Sequence, residues 1–169
     1  MVRSFETSVW LPADRVRVFE YFSHAQNLDS MTPPWFRLII RSPAPPIEMQ
    51  VGTQIEYAMR WRALPMKWRS EVTEWAPPSV FTYKQRRGPY RAFMHEHRYT
   101  ESDGGTLVTD RVDFSTWFGA WIDRRWIEAD LARIFEHRNR YVRRLFEGNL
   151  HHSGSPPATP PTTSPAASP

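Results

Sequence analysis

Apolar and polar residues alternate from Arg3 to Leu11, with Phe5, Thr7, Val9 and Leu11 on one side, and this pattern predicts a first β-strand. Pro12 and the residues after it are expected to open a helix, since proline is tolerated at a helix start. Val16, Val18, Phe19 and Phe22 recur at helical spacing to about Ser23. A short second helix or turn around Gln26 to Met31 should end at Pro33-Pro34. Trp35 to Arg41 is expected as a second strand, followed by a loop rich in proline. Ile55, Tyr57, Met59 and Trp61 mark a third strand, and Trp68, Ser70 and Val72 a fourth. Val80 to Arg87, Tyr90 to Glu101 and Thr106 to Trp117 supply the fifth, sixth and seventh. After Gly119 the period changes to 3.6. Trp126, Ile127, Leu131, Ile134, Phe135, Tyr141, Val142 and Leu145 then form an apolar stripe that Arg138 interrupts.

A long helix with such a stripe must bury it, and the sheet is the partner of matching size. The expected fold is therefore α+β: a seven-stranded antiparallel sheet in the order β, α, α, six β, α, curled around a long C-terminal helix. Residues 1–147 form this domain. From Gly148 the composition turns to Pro, Ser, Thr and Ala, and residues 148–169 are expected to be a disordered tail.

The stretch from Phe81 to Phe114 carries the most information about function. Asp103-Gly104 is a strong two-residue hairpin signal. A turn there sets Ser102 opposite Gly105 and, counting outward, Tyr99 opposite Val108, His97 opposite Asp110, His95 opposite Val112 and Phe93 opposite Phe114. Phe81, Tyr83 and Gln85 join the same face if the Arg87 to Tyr90 loop contains a bulge or has an odd length. The face is aromatic and apolar, yet threaded with titratable groups. Such a surface suits a pocket for a bulky, mostly apolar molecule.

Composition narrows the functional classes. The 169-residue chain has no cysteine, so thiol and disulfide chemistry are excluded. No apolar run approaches the roughly 20 residues that span a bilayer, so stable membrane insertion is not expected and a cytoplasmic location is. The net charge of +4 comes from arginines interspersed with Asp and Glu, with Lys67 and Lys84 the two lysines. No basic block suggests a nucleic-acid partner.

His97 and Asp110 form the sharpest pair. A carboxylate bonded to one ring nitrogen fixes the tautomer and strengthens the other nitrogen as a base, so the pair could act as a catalytic general base. His95, on the same face, could orient a carbonyl or phenol. Alternatively the group hydrogen-bonds a ligand, or satisfies itself within an apolar wall. The residues expected to bind the ligand are Phe81, Tyr83, Gln85, Phe93, His95, His97, Tyr99, Val112 and Phe114, with Trp61 and Trp68. His95, His97 and Asp110 could offer three ligands to a metal, but no further spacing supports a site, and neither metal nor cofactor is expected. Arg87 and Arg91 are expected in solvent. The strand parity of Glu56, Glu71 and Glu74 turns them outward.

The element order, together with Asn27-Leu28-Asp29-Ser30-Met31-Thr32-Pro33-Pro34-Trp35-Phe36, Glu74-Trp75-Ala76-Pro77-Pro78, the run from Arg87 to His97 and Asp103-Gly104-Gly105-Thr106, resembles the START-like, or SRPBCC, superfamily in its polyketide cyclase/dehydrase-like, ligand-binding branch. The resemblance spans about residues 2 to 147 and implies the helix-grip fold with a deep cavity between sheet and long helix. It implies a hydrophobic ligand such as a lipid, quinone or polyketide, and it leaves the reaction open. Three roles follow as expectations: binding, transport or sensing of that ligand; a cofactor-free cyclase, dehydratase or isomerase; or a regulator of the cell-division-inhibitor type that contacts a protein partner through the proline-rich tail.

Overall fold

The computed structural model describes residues 2–44, 46–61, 64–117 and 126–148, with the side chain of Trp61 outside that set. Seven strands form one antiparallel sheet: β1 (Arg3–Leu11), β2 (Ile39–Ser42), β3 (Gln54–Trp61), β4 (Leu64–Ala76), β5 (Val80–Arg87), β6 (Ala92–Ser102) and β7 (Gly105–Ser115). Their order across the sheet is β1-β7-β6-β5-β4-β3-β2. Two short helices, α1 (Arg15–Ser23) and α2 (Leu28–Met31), separate β1 from β2, and the long helix α3 (Glu128–Gly148) follows β7. This is the expected α+β helix-grip architecture. The tail after Gly148 lies outside the described residues.

The β6–β7 hairpin has the expected register, from Ser102 opposite Gly105 to Phe93 opposite Phe114. Its turn works because Asp103 and Gly104 both take positive φ, at 50° and 74°, the conformation a tight two-residue hairpin demands. Gly105 has a different constraint: a β-carbon there would sit 2.4 Å from the Leu11 carbonyl oxygen, so the β1 edge closes on β7 only over a bare α-carbon. Between β5 and β6, Phe81 pairs with His97 and Tyr83 with His95 with no shift in register. Residues 85–93 between the paired Lys84 and Met94 are nine in number, and this odd length keeps both strands on one parity. The bulges lie in the β2–β3 and β4–β5 pairings instead.

Several expected boundaries shift, two of them for reasons visible in the structure. The first helix begins at Arg15 rather than Pro12, because the Asp14 carboxylate accepts a hydrogen bond from the Arg17 amide at 2.9 Å and caps the open turn. Trp35 to Leu38 is not strand: Pro34–Phe36 forms a 3-10 turn, Arg37 takes φ 45°, and pairing with β3 starts at Ile39. Proline at the first position of a tight turn favours closure over extension there.

Two apolar clusters build the core. One gathers Val9, Leu11, Phe19, Phe22, Tyr99, Val108, Val142 and Phe146, joining α1, the sheet and the second half of α3. The other joins Phe93, Val112 and Phe114 to Ile127, Leu131 and Phe135 under the first half of α3. The helix buries Leu131, Phe135, Arg138, Val142 and Phe146, a spacing of three and four residues. Glu128 and Asp130 in its first turn complement the helix dipole. Outward on the sheet, Glu71 pairs with Arg86 at 2.7 Å, Glu56 pairs with Arg69, and Glu74 accepts from the Thr82 hydroxyl at 2.8 Å.

Candidate functional site: a cavity with a buried imidazole pair

Strands β3 to β6 do not press against α3 over their whole length, and a cavity of about 540 Å³ lies between them. Ile55, Tyr57 and Met59 on β3, Met66 and Trp68 on β4, Phe81 and Tyr83 on β5, and Phe93, His95 and His97 on β6 supply the sheet side. Leu131, Ile134, Phe135 and Arg138 of α3 supply the helix side, Met31 contributes from α2, and Leu38, Met49 and Tyr90 contribute from connecting segments. The lining is mostly apolar, as period-two strands with one inward face dictate.

At the deep end stands a group of five polar side chains. Asp110 is 0% exposed, and its Oδ1 is approached by His95 Nε2 at 3.0 Å, His97 Nδ1 at 2.7 Å and Arg138 Nη2 at 3.2 Å. Arg138 Nη2 is also 3.2 Å from His97 Nδ1. The Arg138 N–H donates to His97 Nδ1 while its guanidinium stays within ion-pair distance of the Asp110 carboxylate. His95 donates from Nε2 to Asp110, which leaves its Nδ1 to accept from the Tyr83 hydroxyl at 2.5 Å. The two imidazole rings lie 3.9 Å apart between centroids, and His97 stacks on Phe81 at 4.3 Å.

Electrostatics follow from this geometry. Burial alone would raise the Asp110 carboxyl, but Arg138 and the two histidines outweigh it and hold the group well below the usual carboxylate range. Burial pushes His97 down to about 3, with His95 acting in the same direction against the opposing pull of Asp110. Burial lowers His95 too. Burial also raises the Tyr83 hydroxyl. The site therefore holds one ion pair, Asp110 with Arg138, beside two neutral imidazoles and a neutral phenol. Arg138 is further clasped by the Phe22 ring, 4.7 Å from its guanidinium carbon, and by Phe135 at 5.5 Å.

Of the residues singled out from the sequence, Phe81, Tyr83, Phe93, His95, His97 and Trp68 line the cavity. Asp110 sits behind the histidines. Gln85 is displaced from the cavity: its side chain donates to the Tyr90 carbonyl at 2.8 Å and accepts from the Tyr90 amide, bracing the β5–β6 loop. Tyr99 is covered by Phe19 and Phe22 of α1, at 5.3 and 5.7 Å between ring centroids. Val112 and Phe114 are sealed under Leu131 and Phe135. Their parity is right, but solid packing rather than space lies above them. The side chain of Trp61 falls outside the described residues. Arg138 was legible only as a break in an apolar stripe, and the carboxylate it answers is 28 positions away on β7.

His95, His97 and Asp110 bring three possible metal ligands within 4.8 Å of one another. They do not suit a cation, because the shared Asp110 oxygen already receives three donors, one of them the fixed positive charge of Arg138. No described helix is long and apolar enough to cross a membrane.

Comparison with known proteins agrees with this architecture. Residues 2–147 match the family of polyketide cyclases/dehydrases and lipid-transport proteins, and the chain belongs to that family. Among solved structures it is similar to the Zhui aromatase/cyclase from Streptomyces sp. R1128, with a TM-score of 0.70 at 18% identity over 91% of this chain and 99% of that one. It is also similar to the ginseng major latex-like protein 151 from Panax ginseng, with a TM-score of 0.65 at 11% identity over 86% and 97% of the two chains. The di-domain aromatase/cyclase StfQ of the steffimycin biosynthetic pathway gives 0.69 at 14% identity over 89% of this chain and 52% of that one. No curated protein sequence matches significantly. At these identities the likeness is one of fold.

Proposed function

We propose that this protein binds a hydrophobic or aromatic small molecule, such as a lipid, quinone or polyketide, in the cavity between the sheet and α3, for transport or sensing. The observation that carries this reading is the cavity of about 540 Å³ with its apolar and aromatic walls, a size and lining suited to a compact organic ligand. Burial of ~300 Å² of apolar ligand surface at about 25 cal/mol per Å² supplies roughly 7.5 kcal/mol before the losses of association. Native mass spectrometry of the protein purified from its own cells tests this. A co-purifying small molecule that is displaced by added aromatic compounds is expected; a preparation that takes up no apolar compound of any shape would sink the reading.

A second reading, a cofactor-free cyclase, dehydratase or isomerase, is favoured by the 2.7 Å contact that orients His97 against Asp110. An effective general base has a pKa near the working pH, however, and burial holds His97 at about 3. That mismatch is why binding ranks first. Under the enzymatic reading His97→Ala abolishes turnover while affinity stays within a few-fold, whereas under the binding reading affinity falls and neither form turns anything over.

A further inference from the structure

One end of the sheet combines exposed apolar side chains with unneutralised positive charge, and the cavity comes to the surface there. The β3–β4 and β5–β6 turns and the start of the β7–α3 connection share this end, because Trp61 pairs with Leu64, Arg69 with Arg87 and Ala92 with Ser115. From Arg69 β4 runs on to Leu64, so the β3–β4 hairpin projects beyond its neighbour. Leu64 at its tip is 63% exposed, and Trp117 just past β7 is 71% exposed. Trp126 is 46% exposed and also lines the cavity, as do Pro89 and Met66, which puts the mouth between these segments.

Charge is divided along the strands. No Asp or Glu occurs from Tyr57 to Ser70 or from Trp75 to His95, whereas the opposite end carries Glu101 and Asp103 at the β6–β7 turn. Arg60, Lys67 and Arg87 are exposed and make no ion pair among the described residues, and the Arg91 guanidinium carbon lies 5.7 Å from the centre of the Trp117 ring. The acidic groups on adjacent positions are already answered: Glu56 by Arg69, Glu71 by Arg86, Asp113 by Arg111 and Glu128 by Arg3, while Asp130 lines the cavity. Indole rings settle at the headgroup level of a bilayer, and Arg and Lys beside them meet anionic phosphates. The apolar groups stand on separate turns around a mouth rather than in one flat patch, which suits a deformable headgroup layer better than a rigid protein face.

Resting on the binding reading above, we propose that this end docks on anionic phospholipid bilayers without crossing them. Leu64, Trp117 and Trp126 enter the interfacial layer and the free cations face the headgroups, so that the cavity exchanges its apolar ligand with the membrane rather than with water. Sedimentation of the full-length protein with vesicles of phosphatidylcholine and phosphatidylserine, against vesicles of phosphatidylcholine alone, tests it. Binding to the anionic vesicles is expected to exceed that to the neutral ones by about tenfold or more and to weaken with added salt. Lys67→Gln with Arg87→Gln should cost about tenfold on the anionic vesicles, and Leu64→Ser with Trp117→Ser about as much. Val16→Ser removes a side chain that is 52% exposed, next to the Arg15–Glu101 pair at the opposite end, and should change nothing. Absence of binding to anionic vesicles would overturn the proposal, and so would an equal loss in Val16→Ser. Undiminished binding of the Leu64→Ser, Trp117→Ser variant would overturn it too, in favour of an acidic macromolecule held by charge alone. Uptake of naphthalene in vesicle-free buffer, read in parallel, shows that each variant is folded and separates the two readings. A protein that takes up naphthalene but ignores vesicles keeps the cavity reading and loses this one.

Discussion

Where α1 lies over the sheet, Val9, Leu11, Tyr99 and Val108 pack with Phe19, Phe22, Val142 and Phe146 in one buried cluster. Across β3 and β4, residues of the same inward parity, Ile55, Tyr57, Met59, Met66 and Trp68, face a chamber. The two regions are alike in hydrophobicity and strand geometry and differ in what covers them. One has two helices closing on it with aromatic side chains from both sides. The other has α3 standing off across it, with Phe22 of α1 and Met31 of α2 at its margin, and Leu131, Ile134 and Phe135 only partly fill the gap. Inward parity supplies the wall; the reach of the covering helix decides whether that wall ends in a core or a pocket. The polar group of Asp110, Arg138 and the two histidines stands at the border between the regions, tied to the solid side by Phe22 and open to the hollow side through His97.

The sharpest way to break this contrast is to truncate a side chain on the solid side. Phe19→Ala removes a ring in contact with Trp75, Phe81 and Tyr99 and is expected to cost about 3–5 kcal/mol in urea unfolding. At the border, Asp110→Asn leaves the Arg138 charge buried without its partner and should cost about 3 kcal/mol or more. Asp110→Asn combined with Arg138→Leu should recover much of that loss, and a strictly additive double variant would show that the ion pair is not the source.

Acid should weaken the same border. The unfolded chain takes up protons on histidine near pH 6.5, while folded His97 resists protonation until about 3, so the unfolded state binds more protons between those values. The stability that depends on His97 is thus complete above about pH 6.5 and declines as the pH falls toward 3; Asp110, held low in the folded state, adds to the loss below about pH 4. Melting temperatures of wild type and His97→Phe across this range should converge on acidification, and parallel curves would contradict the assignment. The smallest effect belongs to the chamber wall. Met59→Ala, with cavity rather than packed atoms on one side, is expected to cost only about 1 kcal/mol in the same unfolding assay while measurably altering ligand affinity. A loss as large as that of Phe19→Ala would mean that the chamber is packed.

Much of this arrangement could be read without coordinates because it depends on local rules. Asp103-Gly104 determined a turn, the turn determined the register, and the register brought His97 opposite Asp110 and His95 onto the same face. The 3.6 period after Gly119 determined a long helix that had to lie on the sheet. What the chain order could not settle was depth. Tyr99, Val112 and Phe114 share parity with His97 but lie under helices, and Gln85 turns aside to brace a loop, because a side chain's orientation on a strand says nothing about how close the opposite layer comes. Nor could spacing reveal the role of Arg138. A charge within an apolar stripe is unfavourable until a carboxylate from a distant strand meets it, and that meeting exists only once α3 has closed over β7.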